Sequence, residues 1–517
     1  MTRNQSEDLY MDVSFNGRMT RLASIVVLSM AASAAYAHNL ISETRLEYLG
    51  VDELNQRMER GQLSSVMLVR HLLQRIERLD KQGPAINAII ELNPDALDIA
   101  QVLDKERQGG HVRGPLHGIP VLLKDNIDTS DSMQTSAGSL ALVGQPAAQD
   151  AFIVQRLRDA GAVILAKTNL SEWANFRDPA VPDGWSGRGG QTRNPHVLSV
   201  TPCGSSAGSG AALAAGFAPL TVGTETIGSI ICPASLNGVV GIKPTVGLLS
   251  RSGMVPVTYK LDTPGPMART VRDAALLLNA MRGSDPNDPI NKPSVIDATD
   301  YTALLRTDAL AGRRIGFPLK FGTSAEGLES DPQFSRALEV MQAAGAILVP
   351  VELTDPLSEQ VDEALWMGIK RDLPRYLATR TAMSAPTLDA IVRFNEATPG
   401  DPAYGQSVLS AANSIDFDER TYNALWQKIR HENASVIDDL LNTHQLDALV
   451  LDVGSPGLNV IPLAGYPGIM MPSGVDADGV PTSVFFYGAP WSEAKLLALA
   501  YGYEQAAHAR QTPAFKP

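Results

Sequence analysis

Cysteine is nearly absent from this chain of 517 residues: Cys203 and Cys232 are the only two. That excludes a small fold stapled by several disulfides and any zinc module built on cysteine pairs. Charge is sparse as well. Asp, Glu, Lys and Arg make up 19% of the residues, below the roughly 25% usual for soluble domains, which argues against a disordered chain. The charge that is present leans acidic, with 43 Lys+Arg against 56 Asp+Glu and a formal net charge of −13. A nucleic-acid partner calls for a basic face or stripe, which that balance does not supply. No apolar run reaches the about 20 residues that a membrane-spanning helix needs. The patterns H-E-x-x-H, C-x-x-C and the P-loop are missing, and neither His111 nor His117 stands at ligand spacing from another metal-binding side chain. No metal, nucleotide or other cofactor is therefore expected.

What is present suits a large globular interior: 44% of residues are hydrophobic, and mean hydropathy is −0.04. The N-terminus reads as a targeting segment. Arg18 and Arg21 precede the apolar stretch Leu22 to Met30, small residues follow, and Ala35-Tyr36-Ala37 offers a signal-peptidase exit. A buried N-terminal helix is the alternative. The polar residues before Met19 suit no signal, so Met19 is the expected true start. Residues 1–37 are thus read as a removed secretory signal and 38–517 as the working chain, exported to the periplasm or beyond.

Beyond that point, helical and strand patterns alternate. Phe152 to Asp159 has apolar residues at helical spacing, Gly161 stops it, and Ala162 to Ala166 reads as a buried strand. Asp331-Pro332 opens a second helix, with Asp331 as its cap, and Ala346 to Val351 follows as a strand. Residues 353–440 are mostly helical in pattern with a break near Thr398 to Pro402, and Ser492 is placed to cap a final helix. Ser284 to Lys292 is polar and turn-rich, so it reads as a surface connection. Alternation of this kind predicts an α/β fold.

Residues 203–253 are the densest anomaly, rich in glycine and small hydroxyl residues. Such a block weakens regular structure. It serves either tight packing of a small-residue helix from Ala207 to Ala218 or the aiming of bare N–H groups at a developing negative charge. Gly204-Ser205-Ser206-Ala207-Gly208 fits the G-x-S-x-G nucleophile elbow, but Pro202 precedes it and His431, His444 and His508 qualify as partners only by position. A serine without histidine needs another base. Lys124, closing the apolar run Ile119 to Leu123, can serve if it turns inward and burial lowers its pKa; a solvated strand end fits the same pattern.

Together, GPLHGIPVLLKDNIDT, CGSSAGSGAALAAG, GTETIGSIICPA, GIKPTVGLLSRSG and LDTPGPMARTVRD, in that order, resemble the amidase signature family. AGAVILAKTNLSEWA and GWSGRGGQTRNP before the core, and AGYPGIMMPSG after it, extend the resemblance over nearly all the chain from about Ser42. The resemblance implies a single large α/β domain, its central mostly parallel or mixed twisted β-sheet covered by helices on both faces. It implies hydrolysis of carboxamides by a Ser–cis-Ser–Lys triad: Ser229 as nucleophile, Ser205 as bridging serine and Lys124 as base. The backbone N–H groups of Thr226, Ile227, Gly228 and Ser229 would form the oxyanion hole. Ile227 stands where the family usually has glycine, Glu225 where it has aspartate, and Ile231-Cys232 where it often has arginine and an apolar residue. This form, with the export signal, is most similar to members that remove the C-terminal amide of peptides. A broad aliphatic or aryl amidase is the alternative. The glutaminase subunit of a tRNA-dependent amidotransferase shares the motifs but works in the cytoplasm, and a non-catalytic binding protein would not need all three triad residues. The expected partner is a small-molecule or peptide amide, with no nucleic acid, no membrane after signal removal, no cofactor, and a monomer favoured. Residues 353–440 are expected to shape the substrate pocket. The cysteines lie near Ser205 and Ser229; small buried thiols are the plainer reading, and a disulfide formed after export is the other.

Overall fold

A computed structural model describes residues 45–292, 299–319, 332–354, 356, 360–380, 383, 385–398 and 404–517. The secretory-signal reading of residues 1–37, the Met19 start and the Asp331 cap lie outside the described residues. The chain divides into Met1–Leu49, whose described part is the 3-10 turn Leu46–Tyr48, and Gly50–Pro517. The sheet, its helices and the candidate site all belong to the second unit.

Eleven strands form one sheet: β1 (Ile89–Leu92), β2 (Pro120–Lys124), β3 (Val163–Thr168), β4 (Leu220–Glu225), β5 (Val240–Lys243), β6 (Thr263–Ala268), β7 (Arg314–Pro318), β8 (Ile347–Val351), β9 (Ala448–Leu451), β10 (Gly468–Val475) and β11 (Pro481–Tyr487). Their spatial order is β1-β3-β2-β4-β6-β5-β10-β11-β9-β7-β8. The expected sheet resolves to the mixed form. Strands β3, β2 and β4 run parallel on one flank, and β9, β7 and β8 on the other. The strands between pair antiparallel. Every residue of β2, β3 and β4 is buried, as parallel strands covered on both faces must be; this is why Ile119–Leu123 and Ala162–Ala166 read as apolar runs.

The helices that bear on the site, numbered in chain order, are α1 (Phe152–Asp159), α2 (Ala207–Ala214), α3 (Ile231–Leu236), α4 (Pro332–Ala343), α5 (Val361–Leu377), α6 (Leu388–Ala397), α7 (Ser407–Ser414), α8 (Glu419–Thr443) and α9 (Glu493–Ala507). In α1, Ile153, Val154 and Leu157 face the core, as their spacing dictates. All eight residues of α2 are buried. A Cβ on Gly208 would stand 2.4 Å from the carbonyl oxygen of Asn169. The small-residue composition therefore lets this helix lie directly against the backbone beside it. Helices α5 to α8 share an apolar cluster that includes Leu373, Ile391, Leu409, Tyr422 and Ile429, and that extends to Trp173, Val255 and Val257 from the sheet side.

Segment 284–292 is the surface connection its composition describes, with Ser284, Pro286, Asn287, Pro289 and Lys292 exposed, while Asp285, Asp288 and Asn291 turn inward. Asp288 pairs with the equally buried Arg251, Asp285 accepts from Ser250 Oγ at 2.5 Å, and Asn291 donates to the carbonyl of Gly247 at 3.2 Å. Polar turn residues bury when their groups find such partners. Ser492 does precede α9, but it caps nothing; its hydroxyl is buried with no partner among the described residues.

Candidate active site

Because β3, β2 and β4 are parallel, their carboxyl ends open on one edge of the sheet, where parallel α/β sheets place their crevice. Lys124 is the last residue of β2 and Glu225 the last of β4. The Lys124 side chain is fully buried and turned inward, so the solvated-strand-end alternative does not hold. Its Nζ donates to Ser205 Oγ at 2.7 Å and to the Thr224 carbonyl at 3.1 Å. Burial lowers its pKa to about 7, against the opposing pull of the Glu225 and Asp262 carboxylates. Near neutral pH the neutral amine is thus accessible, as it is not for an exposed lysine.

Ser205 lies just before α2, and its peptide bond to Gly204 is cis. Its carbonyl accepts from the Ser171 N–H at 3.1 Å. A Cβ on Gly204 would come within 2.3 Å of Ser171 Oγ and 2.9 Å of Asp183 Oδ1, so a larger residue there would have to displace both side chains. The neighbouring Ser206 does a different job: its hydroxyl donates to the Thr224 carbonyl at 3.1 Å and accepts from the Thr224 N–H at 3.2 Å.

Ser229 sits in the turn between β4 and α3, 5% exposed. Its carbonyl accepts from the Ser206 N–H at 3.1 Å, which brings the two serine loops side by side. No hydrogen bond joins the Ser229 and Ser205 hydroxyls among the described residues. Glu225 Oε2 accepts from the N–H groups of Ile230 at 2.7 Å and Ile231 at 3.1 Å, capping α3. Gly228 has φ 77°, a left-handed conformation that glycine adopts without strain. Its N–H is directed at Glu225. Among the described residues, the N–H groups of Thr226, Ile227 and Ser229 donate to no other group. Of the four expected oxyanion donors, three are thus free and Gly228 is engaged.

Cys203 and Cys232 are joined in a disulfide with their Cα atoms 5.8 Å apart. The buried-thiol reading is corrected by this pairing, which brings together residues 29 positions apart. Distance in sequence gave no signal for it.

A family model described as Amidase matches residues 67–456. The chain belongs to the amidase family. A probable amidase of Arabidopsis thaliana is 38% identical over 504 residues, covering 94% of this chain and 96% of its own. The crystal structure of native peptide amidase from Stenotrophomonas maltophilia is 44% identical with a TM-score of 0.86, over 90% of this chain and 99% of that one. A glutamyl-tRNA(Gln) amidotransferase subunit of Chloroflexus aurantiacus is 32% identical, over 89% and 97% of the two chains. The protein is an amide-hydrolysing enzyme.

Around the amidase centre stands one residue that sequence reasoning passed over, although it lies in the LDTPGPMARTVRD motif. Asp262 Oδ1 accepts from Thr226 Oγ1 at 2.7 Å, and its Oδ2 from the N–H groups of Val257 at 2.8 Å and Thr258 at 2.9 Å. Burial raises its pKa to about 7. It ties the turn that follows β4 to a loop that reaches the helical cover, where Thr258 Oγ1 lies 2.7 Å from the Tyr422 hydroxyl. Ile227 packs against that same cover. His117 bonds the Leu103 carbonyl and His196 the Asn237 carbonyl, and among the described residues no hydrogen bond links His431, His444 or His508 to either serine. Two further lysines are fully buried. Lys167 donates to the Ile127 carbonyl and Thr135 Oγ1, and Lys243 to the carbonyls of Pro244 and Tyr466.

Proposed function

We propose that the enzyme releases ammonia from the C-terminal carboxamide of peptides through an acyl-enzyme on Ser229. The observation that carries the mechanism is the contact of a fully buried, pKa-lowered Lys124 with Ser205 at 2.7 Å. Neutral Lys124 takes the Ser205 proton as Ser205 takes that of Ser229, and Ser229 Oγ attacks the amide carbon. The resulting oxyanion faces the free N–H groups of Thr226, Ile227 and Ser229; one such donor typically lowers a barrier by about 2.7–4 kcal/mol. Collapse returns the proton to the leaving nitrogen, ammonia departs, and water regenerates Ser229 by the same relay. The relay needs no metal or cofactor.

The peptide preference is supported by the 44% identity with peptide amidase over 99% of that chain, and by the apolar helical cover formed within residues 353–440. Export is supported by the composition of residues 1–37 and fits the disulfide, a bond favoured outside the cytoplasm. A glutamine-hydrolysing reading is favoured by the likeness to the amidotransferase chain, and one experiment separates the two. Ammonia release is measured from C-terminally amidated dipeptides, aliphatic and aryl amides and free glutamine, with Ser229→Ala as control. Turnover is expected to be strongest on amidated peptides and lost in the variant. Turnover by Ser229→Ala overturns the mechanism, and glutamine as sole substrate overturns the peptide assignment.

A further inference from the structure

The disulfide occupies an unusual place. Cys203 is two residues before Ser205, on the loop that enters α2, and Cys232 is three residues after Ser229, in the first turn of α3. The bond therefore joins the two loops that carry the two serines, on which the relay depends. Two weaker ties run beside it. One is the Ser206 N–H to the Ser229 carbonyl, at 3.1 Å. The other is the Asn237 side-chain amide, which reaches the carbonyls of Pro202 at 2.9 Å and Pro233 at 2.8 Å. Both can stretch; the covalent bond cannot. Serine-to-serine proton transfer is sensitive to such stretching, because a 1 Å misplacement can cost on the order of a hundredfold in rate.

We infer that the Cys203–Cys232 disulfide is the clamp that holds Ser205 and Ser229 in register, and that its reduction turns the enzyme down while the fold persists. The inference rests on the serine–serine–lysine reading of the site. Cys203 is 8% exposed and Cys232 is partly exposed, so Cys232 is taken as the point of attack. With a dithiol as reductant, one thiolate forms a mixed disulfide at Cys232 and Cys203 leaves as thiolate. The reagent's second thiolate then displaces Cys232. The protein gains two electrons and two protons as two thiols, and the reagent leaves as a cyclic disulfide. The ties through Ser206 and Asn237 remain, as does the sheet, and both loops keep their place while losing their fixed separation.

The test uses the whole protein before and after treatment with dithiothreitol, with thiols counted in denaturant. Zero thiols before and two after are expected. On reduction, kcat for an amidated dipeptide should fall at least tenfold with KM within about threefold. The rate of Ser229 labelling by a fluorophosphonate should fall in parallel, circular dichroism should be unchanged, and reoxidation should restore both rates. A Cys203→Ala, Cys232→Ala double variant that keeps a cooperative melt should show the same loss without any reductant. Two thiols in the untreated protein overturn the clamp, as do unchanged kcat and labelling after reduction or wild-type kcat in the double variant. If the oxidised protein turns over no amide, the proposed function fails instead, and the labelling rate still decides on the clamp.

Discussion

A lysine sealed at the end of a buried strand is a base only if it can lose its proton, and Lys124 meets that condition by burial. Its proton is lost as pH rises through about 7, so activity should rise with it; below that value each unit of pH should remove about tenfold. A profile flat down to pH 5 would overturn this role. Asp262 titrates in the same range, but its part is separable. Its negative charge favours protonated Lys124, so Asp262→Asn should move the acid limb to lower pH, whereas an unmoved limb would break the coupling between the two groups. The variant should also lower kcat, because one amide oxygen cannot accept from Thr226 on one side and from the N–H groups of Val257 and Thr258 on the other. Lys124, Ser205 and Ser229 were nameable as candidates because each stands in a long motif of fixed order, and Lys124 does meet Ser205. Asp262 stood in such a motif too, but nothing in its residue type separates a tether from an ordinary acidic cap. The disulfide was harder still, since two isolated cysteines carry no spacing that distinguishes paired from free.

Helix α5 and the residues just past it are fastened to the loop after Lys124 by one buried cluster. Arg380 Nη1 donates to Asp128 Oδ1 at 3.3 Å and to the Tyr376 hydroxyl at 2.6 Å, and Tyr376 donates in turn to Asp128 at 2.8 Å. Arg380→Ala strips a buried carboxylate of its cation and should lower unfolding free energy by about 3–5 kcal/mol, read by urea denaturation. A loss below about 1 kcal/mol would mean that Asp128 is held by Tyr376 alone. At this scale the sequence is a good guide where one rule dominates. Phe152–Asp159 is the helix its periodicity and Gly161 describe, and β2 and β3 are the apolar runs that read as buried strands. It misleads where a polar residue has several uses. Ser492 has a capping side chain without a cap bond, and within the surface segment 284–292 three polar residues turn inward because they pair with Arg251, Ser250 and the Gly247 carbonyl.

Across the whole molecule, strand order was the least legible property. Nothing local in Val240–Lys243 announces that it will pair with Gly468–Val475, more than two hundred positions away. That choice is settled by which apolar faces can be covered together. The motifs compensate, because residues that share one site must share one sheet edge. The proposed export is likewise a property of the entire chain. Protein recovered from outside the cytoplasm should begin at His38, as read by N-terminal sequencing or intact mass. A cytoplasmic product retaining Met1 or Met19 would overturn it. The three interior lysines have a consequence of another kind. Lys124, Lys167 and Lys243 have no exposed surface, so an acylating reagent that decorates exterior amines finds them only when the molecule opens. Lys124 and Lys167 sit near the ends of the paired strands β2 and β3, and Lys243 on β5 further across the sheet. The amidase thus carries three built-in reporters of opening, one of them at the proposed reacting centre.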